Sequence, residues 1–155
     1  MGARKFSKIL VTGASGFVGG HLARVMVERG YPVRALYRRE KIPENLMRIR
    51  EKGAEVNRLD LTETEDVRKA VHGVEAVIHV AALTGDWGPF KIYKRHNYDL
   101  TVRLIDESEK SGCRVFVYIS SISVHGFGKH VNSGEEGPFY RHVSAYQTTK
   151  KMAEE

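Results

Sequence analysis

Short apolar runs alternate with longer amphipathic stretches along this chain. The runs at residues 8–12, 32–37, 55–59, 76–80 and 115–119 are strand candidates. Several are nearly continuous in Val, Ile and Leu, the pattern of parallel strands covered on both faces. Residues 17–29 carry Val18, Leu22, Val25 and Met26 at helical spacing and close at Gly30. Residues 63–72 close at Gly73, a weaker helix covers 44–52, and a long one from about 90 to 111 carries Leu100, Leu104 and Ile105 and closes at Gly112. Strand-helix alternation with gaps this short predicts right-handed crossovers and a doubly wound parallel α/β sheet with strand order 3-2-1-4-5.

The last segment opens with a Ser-x-x-Gln capping box at Ser144 and Gln147, and Lys151 and Glu155 lie four apart on the same helix. Neither a closing glycine nor another strand follows. The chain therefore reads as one domain over residues 1–155, an N-terminal portion and not a finished architecture.

Composition narrows the function classes. With 41% hydrophobic and 28% charged residues the chain is expected to be globular. No apolar run approaches the ~20 residues of a membrane span, and the stretch after the basic N-terminus is too short for a signal peptide. Cys113 is the single cysteine, read as a small apolar residue at a strand start, so a disulfide framework is excluded and a cytoplasmic location is expected. The formal charge is +6, and residues 34–52 alone hold seven bases (Arg34, Arg38, Arg39, Lys41, Arg48, Arg50, Lys52) against three acids. A local basic cluster suits a phosphate on a small ligand. No aromatic-rich basic stripe of the kind that stacks nucleic-acid bases accompanies it.

The first strand runs into Thr12-Gly13-Ala14-Ser15-Gly16-Phe17-Val18-Gly19 and then an amphipathic helix. Gly13 permits the tight turn, Gly16 lets backbone approach a pyrophosphate, and Gly19 allows close helix–strand packing. The free N–H groups and positive dipole end at the helix start favour phosphates, so this turn reads as a dinucleotide site. At the end of the second strand an acid would bind the adenosine ribose of NAD, whereas arginine accommodates the extra phosphate of NADP. Here Arg38-Arg39 stand there, with no acid before Glu40. NADP is the expected cofactor with NAD the alternative, and a solvated basic edge is the other reading of these arginines.

Tyr146 and Lys150 lie four apart on one helix face, and Ser120 and Ser121 follow the fifth strand at its carboxyl end, where ligands sit in open α/β sheets. A nearby ammonium favours phenolate, which lets a tyrosine exchange a proton with a substrate hydroxyl. On its own the Tyr-x-x-x-Lys pair could be an ordinary surface pair; its place after the fifth strand, downstream of the serines, favours chemistry.

Together these residues resemble the extended short-chain dehydrogenase/reductase family, which includes nucleotide-sugar epimerases and dehydratases, dihydroflavonol-type reductases and 3β-hydroxysteroid dehydrogenase-like enzymes. The likeness runs in order through Gly13, Gly16 and Gly19, Asp60-Leu61, His79-Val80-Ala81-Ala82, Asn97, the serine motif at 120–126 and Tyr146 to Lys150. It implies cofactor contacts from Gly13, Ser15, Gly16, Phe17, Val18, Gly19, Arg38, Asp60, Leu61, Ala81, Ala82, Asn97, Tyr146 and Lys150, with Asp60-Leu61 at the adenine ring. It makes Ser121 the catalytic hydroxyl with Ser123 the runner-up, Tyr146 the acid/base and Lys150 its partner. The implied activity is hydride transfer at a hydroxyl or carbonyl of a nucleotide sugar or a sterol- or flavonol-like alcohol, with a homodimer as the expected assembly. The alternative is a regulatory NAD(P)-binding module without activity of its own. The segment Thr84 to Phe90 and Thr149 resemble the steroid- and flavonol-type branches, Trp87 being either a packing aromatic under the long helix or a pocket residue. His21, His72, His96, His125, His130 and His142 lack metal-ligand spacing and read as surface or packing residues.

Overall fold

The computed structural model describes residues 6–85 and 87–155. The chain divides into two compact units, one holding the residues through Ala81 together with Arg103–Ile119, the other Ala82–Val102 and Ser120–Glu155.

The first unit is built on five parallel strands, β1 (Ile9–Thr12), β2 (Val33–Tyr37), β3 (Glu55–Arg58), β4 (Ala76–His79) and β5 (Val115–Tyr118), in the order β3-β2-β1-β4-β5. This is the Rossmann-type sheet and strand order that the alternation predicts. Ile9 pairs with Val33 on one side and Ala76 on the other, and Thr12 pairs with His79. Helices α1 (Phe17–Glu28), α2 (Glu44–Glu51) and α3 (Thr64–Val71) make the crossovers. Side chains alternate across the sheet. Val11, Val33 and Ala35 join Ala23, Leu46, Ile49 and Ala54 in one core cluster. Arg34, between two of those residues, projects to the opposite face.

That opposite face corrects the charge reading. Arg34 is buried, its Nε donates to Glu55 at 2.9 Å, and its Nη1 donates to the carbonyls of Ala70 and His72 at 2.7 and 2.8 Å. It closes the end of α3, where unsatisfied carbonyls attract a cation. Arg48 pairs with Glu44, and Lys52 with Glu28 at 3.1 Å. Arg34 is therefore committed to the fold, Arg48 and Lys52 sit in exposed ion pairs, and Arg38 and Arg39 stay exposed.

Helix α1 departs from its expected inner face at one position. Gly19 and Ala23 are buried and Leu22 and Met26 pack on the core, but Val18 is 56% exposed. Small residues take the inner seam because the first turn of α1 lies against the preceding glycine turn. The helix ends as expected: Gly30 has φ +79°, and Tyr31 N–H reaches back to Met26 O at 3.0 Å. Strand β5 lies last in the sheet order, as expected, and Val115 and Val117 are each about two-fifths exposed.

In the second unit the long helix is interrupted. It consists of α4 (Phe90–Tyr93), a π-helical stretch at Lys94–Asp99, and α5 (Leu100–Lys110), which continues into the first unit. Tyr93, Asn97 and Leu100 are buried, whereas Ile105 is 40% exposed rather than inward. The wider turn suits a polar side chain held inward, and here that is Asn97. A short 3₁₀ turn at Ile122–His125 and helix α6 (Ala145–Met152) complete this unit. The expected capping box on α6 is present: Gln147 N–H donates to Ser144 Oγ at 3.3 Å and Ser144 N–H to Gln147 Oε1 at 3.2 Å.

Candidate active site

In the first unit the glycine turn rests on a hydroxyl hub. Thr12 Oγ1 accepts from Val80 N–H and Ala81 N–H, each at 3.1 Å, and lies 2.7 Å from His79 Nδ1. Thr12 and His79 are fully buried. This hub locks the end of β1 to the end of β4 directly under the turn. Gly13 has φ +66°, and a Cβ on it would stand 2.8 Å from Ala81 N. A Cβ on Gly19 would stand 2.4 Å from Gly13 O, and one on Gly16 3.3 Å from the same oxygen. The turn therefore needs glycine at 13 and 19 for close backbone approach, and at 16 for a lesser crowding of the same oxygen.

The start of α1 is bare. Gly16 caps it without a side-chain bond, and the first turn holds no acid. The leading N–H groups of a helix have no intrahelical acceptors, and the dipole there is positive. Phe17 is 94% exposed and Ser15 is exposed beside it. A glycine cradle, a bare positive helix end and an uncovered rim fit the diphosphate of a dinucleotide. Two supports escaped the sequence reading. Asn45 Nδ2 donates to Ala14 O at 2.9 Å, and a Cβ on Gly20 would meet that same Nδ2 at 2.5 Å. Asn45 comes from α2, so its role depends on a packing that no local motif encodes.

Arg38 directly follows β2, and Leu59 N–H donates to Tyr37 O at 3.0 Å, carrying the β2–β3 pairing to that end. Asp60 forms a side-chain turn, its Oδ1 accepting from Thr62 N–H at 3.0 Å and Thr62 Oγ1–H at 2.8 Å, while Leu61 is buried. One carboxylate oxygen of Asp60 thus closes the turn at residues 60–62 that leads to α3.

The second unit holds the serine, tyrosine and lysine residues. Ser121 and Ser123 share a hydrogen bond at 2.8 Å, and Ser121 Oγ also accepts from Ser123 N–H at 3.2 Å. The two serines that motif alignment ranks first and second therefore lie side by side. His142 Nε2 lies 2.8 Å from Val124 O, tying the approach to α6 to this turn. Tyr146 occupies the first turn of α6, half-buried, and Lys150 lies one turn later, 2% exposed. Burial pushes the Lys150 ammonium down to about 8, opposed by the attraction of Glu154. At that value the group is about nine-tenths charged at neutral pH.

Asn97 fixes the segment after Ala82. Its Oδ1 accepts from Leu83 N–H at 2.7 Å, and its Nδ2 donates to Leu83 O at 3.0 Å and to Thr149 Oγ1 at 3.2 Å. Tyr93 Oη donates to Trp87 O at 3.2 Å. Trp87 is 90% exposed, which removes the reading of a packing aromatic under the long helix. Among the described residues no cluster of His, Cys, Asp or Glu could hold a metal ion, and no helix is long and apolar enough to cross a membrane.

The model of the NAD dependent epimerase/dehydratase family matches residues 9–155. A 2-alkyl-3-oxoalkanoate reductase of Stenotrophomonas maltophilia is 37% identical over 152 residues, covering 96% of this chain and 44% of that protein. A 3-beta-hydroxysteroid dehydrogenase of Mycolicibacterium neoaurum is 32% identical over 156 residues, covering 95% of this chain and 41% of that protein. The solved UDP-glucuronic acid 4-epimerase of Bacillus cereus in complex with NAD superposes with a TM-score of 0.80 at 29% identity, over 95% of this chain and 50% of that one. The chain thus spans less than half the length of the two curated relatives.

Proposed function

The chain belongs to the NAD dependent epimerase/dehydratase family, and on that premise we propose an NADP-dependent oxidoreductase that acts on a hydroxyl or carbonyl of a small molecule. The carrying observation is on α6: Lys150, buried and still mostly cationic at neutral pH, one turn beyond Tyr146.

The bound nicotinamide supplies the hydride chemistry. Gly13, Ser15, Gly16, Phe17, Val18 and Gly19 would receive its diphosphate on the bare start of α1. Arg38 would hold the phosphate on the adenosine ribose through its planar fork, NAD being the weaker ligand. Asp60 and Leu61 would border the adenine and Ala81 and Ala82 the path of the dinucleotide, with Asn97 acting through the Leu83 main chain that it holds. Tyr146 donates a proton to the substrate oxygen as a carbonyl is reduced and accepts it when an alcohol is oxidised. The Lys150 ammonium stabilises negative charge on that phenol oxygen and would hold the nicotinamide ribose. Ser121, with Ser123 as its hydrogen-bonded neighbour, steadies the substrate oxygen. The name of the steroid dehydrogenase supports a sterol-like alcohol as the substrate, and that of the UDP-glucuronic acid 4-epimerase supports a nucleotide sugar. A homodimer in the cytoplasm, with Cys113 as a free thiol, completes the proposal.

Titration with NADPH and NADH tests it. Tighter binding of NADPH is the expected result. Failure to bind either dinucleotide overturns the proposal, and tighter binding of NADH removes the role given to Arg38. For the chemistry, Tyr146→Phe abolishes turnover while dinucleotide binding persists; unchanged turnover refutes the acid/base role. A second reading is a module that binds the dinucleotide without turnover. Binding without turnover on any alcohol or ketone is its signature.

A further inference from the structure

We infer that Thr149 is a positioning residue, whose hydroxyl joins α6 to the Asn97 amide and so fixes the helix turn between Tyr146 and Lys150. The inference rests on the reading of Tyr146 and Lys150 as the reacting pair.

The hydrogen-bond arithmetic is closed. Thr149 Oγ1 donates its one hydrogen within the helix, to Ala145 O at 2.8 Å, with Tyr146 O at 3.2 Å as the alternative acceptor. Its lone pair is left to receive Asn97 Nδ2, 3.2 Å away. Asn97 spends its Oδ1 on Leu83 N–H and its other amide hydrogen on Leu83 O. Both partners are out of water, Thr149 at 0% and Asn97 at 1% exposure, so neither can exchange this bond for a solvent bond.

The position of the bond matters as much as its burial. It meets α6 at the residue before Lys150, three after Tyr146, whereas the capping box restrains the helix only at Ser144 and Gln147. Threonine is suited to the place, since a β-branched side chain is stiff at χ1 and its hydroxyl back-bonds to the preceding turn. The partner amide is held by a π-helical stretch and by the main chain at Leu83, so it does not yield easily. Rotation of α6 about its axis, which would move Tyr146 and Lys150 together, is opposed at this one point.

The test is the Lys150 titration read by NMR of a ¹³C-labelled lysine side chain in the native protein, Thr149→Val and Thr149→Ser. Valine keeps the shape and removes the hydroxyl, whereas serine keeps the hydroxyl and loses a methyl. In Thr149→Val a loosened α6 admits water, and the midpoint moves from about 8 toward the ordinary ~10.4 by more than about half a pH unit, a threefold change in proton affinity. Thr149→Ser returns it to the native value. A native midpoint in Thr149→Val overturns the inference, and so does a serine variant displaced as far as valine, which would mean that only packing matters. Should Thr149→Val fail to fold, Thr149→Cys, a far weaker acceptor, takes its place against serine under the same criteria. Dinucleotide affinity is measured alongside: loss of all NADPH and NADH binding in the native protein sinks the proposed function, while the Lys150 comparison still decides the role of Thr149.

Discussion

Thr12 Oγ1 and His79 Nδ1 lie 2.7 Å apart at the paired ends of β1 and β4, fully buried. Two backbone N–H groups, of Val80 and Ala81, already donate to this oxygen. The one hydroxyl hydrogen is therefore left for His79, which fixes Nδ1 as the acceptor and puts the ring hydrogen on Nε2. A hydroxyl at the end of one strand thus sets the tautomer of a histidine on the next, and holds the backbone on which the glycine turn sits.

Thr12→Val removes a hydroxyl that accepts from two backbone N–H groups and donates to His79, while keeping the shape. A destabilisation of about 1–3 kcal/mol follows from leaving buried polar groups short of a partner. Urea unfolding checks it, and Thr12→Ser should recover most of the loss.

The glycines should not be equivalent. Gly13→Ala combines φ +66° with a contact at 2.8 Å, and Gly19→Ala forces a Cβ to 2.4 Å from backbone oxygen. Either should weaken NADPH binding by about tenfold or more, since a shifted turn misplaces the N–H groups meant for phosphate. Gly16→Ala, with its closest contact at 3.3 Å, should cost less. Fluorescence titration of the three variants gives the order.

Arg38→Ser should lower NADPH affinity by about ten- to a hundredfold, the scale of a charge-assisted bidentate contact, and leave NADH affinity unchanged. Arg34→Ser is the contrasting substitution. It removes the bonds that close α3, so its effect should appear in the melting temperature and not in the ratio of the two affinities.

Lys150 gives stability a pH signature. Its folded value, depressed by burial to about 8, lies below the unfolded value of ~10.4, so the unfolded chain binds more protons between those limits. Stability from this group is therefore gained as pH rises from 8 toward 10.4 and is absent below 8. Integrated over that window it amounts to about 3 kcal/mol. The difference in unfolding free energy between the native protein and Lys150→Met should change by that amount across the window, and a flat difference refutes it.

The periodic elements were legible because their causes are local. Apolar runs bounded by turn residues mark β1, β2, β4 and β5, Gly30 marks the end of α1, and Ser144 with Gln147 marks the start of α6. The chemistry-bearing motifs were legible for the same reason, being residue types at fixed spacing along one element. Arg34 shows the limit. In the sequence it is one base among seven; its pairing with Glu55 and the carbonyls of α3 depends on which face of β2 it occupies and on what the crossover lays against that face.

What the sequence determined by itself is the alternation of strands and helices, the order of the sheet, the glycine turn, and the serine, tyrosine and lysine set. Tertiary structure alone decided the rest. It gave Thr12 and His79 a common hydrogen bond across 67 residues of chain, placed Asn45 under the turn, widened the long helix around Asn97, and left Trp87 exposed. The physical reason is range. Periodicity and caps act within a few residues, whereas a buried amide or hydroxyl is satisfied by whatever the completed fold brings to it, and no spacing in the sequence records that partner.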